Sequence, residues 1–329
     1  MAFLGSDTLK VDVTTYSEIT FKELSEMKIS HGDLYWKKAS GKFLKVLNTG
    51  DVVDHDKISK FEKVAPCLFI DQKSNEEFVN GGSEILLELL SETQEFKRIE
   101  LIDSFISHLH DVYWSGEKEA LLFDLVLIFK RAFYNLDEEF ESKMDLHAFS
   151  FYQRSMVSSA IITLCSICAG YTNGTLLKDL YNTCYYFDYS YALDSFSTED
   201  LLKVEAARSS HIPLSIETEH VASSLEAFSY QYEHTNFKKL ISFHHERLSG
   251  DGAYVKCNQE EIGDIEKIVL WCESVIPFGD DGLIFTPGAK YLSELFTLES
   301  NNIRTVEKKL LRKLSSAFSN QIKNEECVA

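Results

Sequence analysis

The strongest constraint on this chain is a change of hydrophobic period near Ser83. Up to about Val79, short apolar runs alternate with turn signals. Tyr16–Thr20 has the look of a strand and Phe21–Met27 of a short helix. Asp33-Leu34-Tyr35-Trp36-Lys37-Lys38 and Lys42-Phe43-Leu44-Lys45-Val46-Leu47 flank Ala39-Ser40-Gly41, a hairpin signal. Asp56–Val64 is predicted helical and Cys67–Asp71 a buried strand. Beyond Ser83 the apolar residues recur at three- and four-residue steps. Ile102, Phe105, Ile106 and Leu109 do so, as do Leu121, Leu122, Leu125, Ile128 and Phe129. Further helical patterns run over Met156–Ala169, Leu176–Tyr186, Thr198–Arg208, Ala222–Tyr230, Asn236–Phe243, Glu260–Val275 and Ala289–Leu298. The expected fold class is α+β: a small N-terminal α/β module over 1–79, a helical connector over 80–145, an all-α domain over 146–300 and a basic C-terminal helix with its tail over 301–329. Asn80-Gly81-Gly82 marks the expected first boundary.

Charge and composition exclude several classes. A net charge of −19 disfavours non-specific nucleic-acid binding, which needs a local surplus of Lys and Arg. The seven cysteines show no disulfide framework. Cys165 and Cys168 form a lone CxxC inside an apolar helical pattern and are expected to pack in the core of a reduced, cytoplasmic protein. The apolar runs Ala120–Phe129 and Met156–Tyr171 are short for a membrane span, and the N-terminus has no signal-peptide pattern. On the last helical pattern, Ile303, Val306, Leu310, Leu314 and Phe318 share one face and Arg304, Lys308, Lys309, Arg312 and Lys313 cover the rest. Such a helix is expected to dock on the acidic body, and it permits self-association.

The chemistry-bearing stretch is Phe243-His244-His245-Glu246-Arg247-Leu248-Ser249-Gly250-Asp251-Gly252. Imidazole is the commonest protein ligand for transition metals. Two adjacent histidines on a helix point to different azimuths, so one can face an ion while the other packs.

This stretch resembles the HHERxDGxGYP signature of HD-GYP domains, all-α metal-dependent phosphodiesterases of cyclic di-GMP. The small N-terminal module is similar to one that precedes such domains in bacterial proteins. The resemblance places further metal ligands at His220, 24 residues before His244, and at Glu273, 29 residues after it. His211 is a rival to His220. Leu180–Tyr191 looks like the helix that carries LLHDIGK, with the Asp on Asp188, Phe187 in place of the HD histidine and Tyr191 in place of the lysine. Ser155–Gly170 offers no early histidine, and the family's later arginine falls on Gly282. Leu109-His110-Asp111-Val112 reads as an HD motif but stands too far from His220.

The resemblance implies a metal group of Asp188, His220, His244, His245 and Glu273. If the site were active, Asp188, His244 and His245 would carry the chemistry. Those ligands suffice for one divalent Fe, Mn or Zn and are poor material for a two-metal mechanism. The expectation is a catalytically inactive interaction or sensing module in bacterial signalling, with protein partners, weak or no binding of cyclic di-GMP and no cofactor beyond that ion. The alternative is a residual metal-dependent phosphodiesterase.

Overall fold

A computed structural model of the chain describes residues 16–27, 29–113, 120–136, 140, 149–193, 215–231, 237–246, 262–277 and 282–297. The chain divides into two compact units, Met1–Ser74 and Asn75–Ala329.

The first unit runs β1 (Ser17–Ile19), α1 (Phe21–Glu26), β2 (Gly32–Lys37), β3 (Phe43–Leu47), α2 (His55–Glu62), β4 (Leu68–Gln72). The strands form one sheet in the order β1-β4-β2-β3. All its pairings are antiparallel, so the small module is itself of the α+β kind. Local signals set these elements. Thr20 and Glu23 close a capping box on α1. Asp54 caps α2 by accepting from the Lys57 amide at 3.0 Å. Gly41 takes φ 80° in the hairpin, a conformation that favours glycine. One face of the sheet and the two helices bury Ile19, Leu24, Leu34, Leu47, Val53, Ile58, Leu68 and Ile70 as a common core.

The second unit is helical among its described residues. It opens with α3 (Glu76–Ser91), α4 (Glu95–Tyr113) and α5 (Leu122–Phe133). Asn80-Gly81-Gly82 lies inside α3, which starts where Asn75 accepts from the Phe78 amide. Its glycines serve close packing instead of breaking the helix. A Cβ on Gly81 would stand 2.9 Å from His108 Cε1, and one on Gly82 would stand 2.8 Å from Ile128 Cδ1. Eleven of the twelve residues of α5 are buried, which marks a helix enclosed on all sides.

The remaining helices are α6 (Phe149–Cys168), α7 (Gly174–Cys184), α8 (Tyr189–Leu193), α9 (Ser215–Gln231), α10 (Lys238–Phe243), α11 (Asp264–Val275) and α12 (Gly288–Thr297). Helix α5 packs against α3, α6, α7 and α12. Asn182 ties α7 to the end of α5: its Nδ2 donates to the Phe133 carbonyl at 2.8 Å, and its Oδ1 accepts from the Asn135 amide at 2.9 Å. Cys165 and Cys168 are buried free thiols in α6. Burial pushes both thiols up from their ordinary pKa. No described helix is long and apolar enough to cross a membrane. The expected helices at 198–208 and 301–318, His211, and the motif from Arg247 to Gly252 lie outside the described residues.

Candidate metal centre

Three separate segments bring four buried side chains to one point. A succession of tight backbone turns carries the chain from α7 into α8. Tyr186 N donates to Thr183 O at 3.0 Å, and Tyr191 N donates to Asp188 O at 3.1 Å. This turn presents Phe187 and Asp188. His220 stands on α9, and His244 and His245 close the C-terminal end of α10. Asp188, His220, His244 and His245 each offer one ligand atom, and these atoms all lie within 4.8 Å of one another. Their exposure runs from 1% for Asp188 to 7% for His245, so water is largely excluded.

The hydrogen bonds fix which ring nitrogens face the centre. His244 Nδ1 lies 2.6 Å from the Ile241 carbonyl, which can only accept, so Nδ1 carries the proton. The hydroxyl of Ser190 donates to the His220 carbonyl at 3.0 Å and lies 3.3 Å from His220 Nδ1. With its one proton directed at that carbonyl, Ser190 accepts from Nδ1–H. In their neutral form both rings therefore turn an Nε2 lone pair inward. Those two Nε2 atoms stand 3.2 Å apart, and His245 Nε2 stands 2.6 Å from that of His220. Lone pairs this close need a shared proton or a cation between them. Donation of the outer N–H to a carbonyl or hydroxyl is also what orients metal-ligating histidines.

The donor set passes a test of fit. Three imidazole nitrogens and one carboxylate oxygen suit Zn²⁺, Fe²⁺ or Mn²⁺. Ligands around a tetrahedral Zn²⁺ stand about 3.3 Å apart, so donors as far apart as 4.8 Å must close by up to about 1.5 Å on a bound ion. The buried group could hold one metal ion.

Aromatic rings lie flat on two of the imidazoles. Phe187 stacks on His244 with centroids 4.9 Å apart and planes 8° apart. Tyr191 stacks on His220 at 4.1 Å and 14°. The rings expected in place of the HD histidine and the lysine thus pack against the cluster and hold two of its imidazoles in orientation.

Glu273 is not among the four. Its carboxylate faces Arg154, whose Nη2 donates to Glu273 Oε2 at 2.8 Å. The same guanidinium donates through Nη1 to Asp188 Oδ2. Arg154, Asp188 and Glu273 are each about 1% exposed. Burial opposes the charge on Arg154, but the carboxylates of Asp188 and Glu273 outweigh it and raise its pKa above the ordinary value. Counting along the chain puts Glu273 at a ligand position. The structure places it one step away because Arg154 stands between it and Asp188. Sequence reasoning missed Arg154, yet a signal existed: it is the one charged residue in α6. A lone charge in an apolar helix is rarely buried unless paired. Gly282 is exposed and holds no position of this kind, and His110 of the rejected HD motif stands on α4 outside the group.

No protein-family model matches the chain, and no curated protein matches it. Among solved structures, it is similar to "Bd1817, a HDG"Y"P protein from Bdellovibrio bacteriovorus", at 14% identity and a TM-score of 0.35, over 92% of this chain and 99% of the other.

Proposed function

We propose that this chain is a degenerate HD-GYP-like protein that holds one divalent transition metal on Asp188, His220, His244 and His245 and acts as an interaction or sensing module without hydrolysing cyclic dinucleotides. The observation that carries this reading is the stacking of Phe187 on His244. A ring without donor atoms lies against the cluster at the position where the HD pattern has a ligand. When bound, the ion supplies Lewis acidity and a lowered pKa for any water it holds. Among the described residues, the side chains beside the cluster supply little else to a phosphodiester. The buried cluster is walled by Phe187 and Tyr191, and the nearby guanidinium of Arg154 faces two carboxylates.

Hydrolysis of cyclic di-GMP by the purified full chain with added Mn²⁺ or Fe²⁺ tests the reading. The expected result is no turnover, with one metal ion per chain by elemental analysis and none in His245→Ala. Turnover that disappears in His244→Ala would establish the second reading, a one-metal phosphodiesterase, which the intact set of three imidazoles and Asp188 favours. Calorimetry with cyclic di-GMP is expected to give weak or no binding.

A further inference from the structure

Asp188 takes part in two arrangements at once. It is one of the four groups gathered around the histidines, and its Oδ2 also accepts from Arg154. On the far side of the guanidinium, Glu273 Oε2 accepts from Nη2 at 2.8 Å. Two backbone carbonyls flank the same nitrogen, Glu273 O at 3.4 Å and Ile276 O at 3.5 Å. The hydrogen bonds of the guanidinium to these residues thus go to oxygens: two buried carboxylates and two carbonyls. Hard divalent cations such as Mn²⁺, Mg²⁺ and Ca²⁺ take oxygen ligands of this kind, whereas imidazoles hold Zn²⁺ on the other side of Asp188. Each of the two buried carboxylates would lose its ion pair with Arg154 if the guanidinium were removed, and folded proteins avoid burying charge without compensation.

We propose that Arg154 is a built-in cation: its guanidinium fills a second, all-oxygen cation position defined by Asp188, Glu273 and the carbonyls of Glu273 and Ile276, and limits the centre to one metal ion per chain. The assignment rests on the histidine group being the metal site, with Asp188 as the carboxylate shared between a metal and a guanidinium. Removing the side chain while keeping both carboxylates opens that position to a hard cation. A lysine in its place keeps a positive charge there and keeps the position closed.

The test is Mn²⁺ uptake by full-length protein already loaded with Zn²⁺, read by electron paramagnetic resonance and elemental analysis. Wild type and Arg154→Lys are expected to take up no Mn²⁺, and Arg154→Ala about one Mn²⁺ per chain. That uptake is expected to fall at least tenfold in Arg154→Ala/Glu273→Gln. Zn²⁺-loaded Arg154→Ala that takes up no Mn²⁺ overturns the proposal. Wild type that takes up no Zn²⁺ sinks the histidine site instead, and Arg154→Ala then still distinguishes the two by its own Mn²⁺ uptake. Should Arg154→Ala fold poorly, its thermal melt with and without Mn²⁺ decides. A melting temperature raised by Mn²⁺, with Zn²⁺-loaded wild type unmoved, supports the proposal. A variant left unfolded in both conditions refutes it.

Discussion

Loading the histidine group with a metal should stabilise the second unit by an amount set by linkage. The four donors join the turn between α7 and α8, helix α9 and the end of α10. In the unfolded chain Asp188 and His245 are separated by long segments, so the assembled site exists only in the folded state. A ligand that binds only the folded state stabilises it by RT ln(1 + [L]/Kd), about 2.7 kcal/mol at a free ion concentration one hundred times Kd. For a unit of this length each kcal/mol moves the melting temperature by about 2–4 °C, so the expected rise is about 5–10 °C. The ten histidines and seven cysteines of the unfolded chain also bind metals and lower that figure. Mn²⁺, which thiolates hold weakly, minimises the loss. The assay is a thermal melt of chelator-treated protein titrated with Mn²⁺ and, separately, Zn²⁺. His245→Ala should abolish the shift. His110→Ala, a buried imidazole on α4 outside the group, should retain it. Equal melting temperatures for loaded and chelated wild type, or a shift that survives in His245→Ala, would refute the reasoning.

Three further outcomes are expected. Glu273→Gln keeps an oxygen for Arg154 Nη2 and leaves Asp188 as the counter-charge. It should cost about 2–3 kcal/mol in urea unfolding, less than the roughly 3–5 of removing a buried partner outright, and leave metal uptake by the histidines unchanged. Gly174→Ala should cost about 1–3 kcal/mol by the same measurement. Its Cβ would meet Leu90 Cα at 2.7 Å and Leu89 O at 2.8 Å, and that backbone cannot rotate aside. Asp33 is partly buried, which raises its pKa, but Lys45 at 2.7 Å and the Thr49 amide at 2.9 Å leave it lowered from 3.8. The stability it adds is thus present above about pH 4 and lost as pH falls through its folded pKa, so Asp33→Asn should be less stable than wild type at pH 7, by a margin that shrinks as acid titrates the wild-type carboxylate.

What the sequence reveals of this fold follows from the range over which each signal acts. The hairpin with Gly41 and the capping box of Thr20 and Glu23 are local, and they stand where the turn and cap chemistry puts them. Helices α5 and α6 are legible because apolar residues recur over several turns. The Gly81-Gly82 pair misleads because a glycine that breaks a helix and one that admits Ile128 look identical in one dimension. At the site, Asp188, His220, His244 and His245 are legible through motif and spacing, and they do converge. Glu273 sits at the expected count on an apolar helix, but what it meets is set by Arg154, 119 residues away in sequence. No spacing rule within the motif reaches that far. The lone charge of α6 shows that something must pair with Arg154 but does not name the partners.

Arg154 also separates two roles that a cation near a cluster of histidines and a carboxylate can have. A cation that assists phosphoryl transfer must meet the charge developing on the phosphate oxygens, and it does so through donors directed at the substrate. The guanidinium here directs Nη1 to Asp188 and Nη2 to Glu273, both buried and both charged. Turning either donor toward a phosphate would leave a carboxylate buried without its partner, a cost of several kcal/mol that a phosphate contact in the same place has to exceed. Nor can a guanidinium take a metal's other part in hydrolysis. With a pKa raised further by its two carboxylates, it neither binds a water as a ligand nor lowers that water's pKa as a metal ion does. A metal on the histidines beside a guanidinium so engaged can hold three segments of the chain together, while this guanidinium is not available as the second cation that an in-line displacement places on the leaving oxygen. The pairing of Arg154 with Asp188 and Glu273 thus fits the proposed reading, a centre that orders the helical unit.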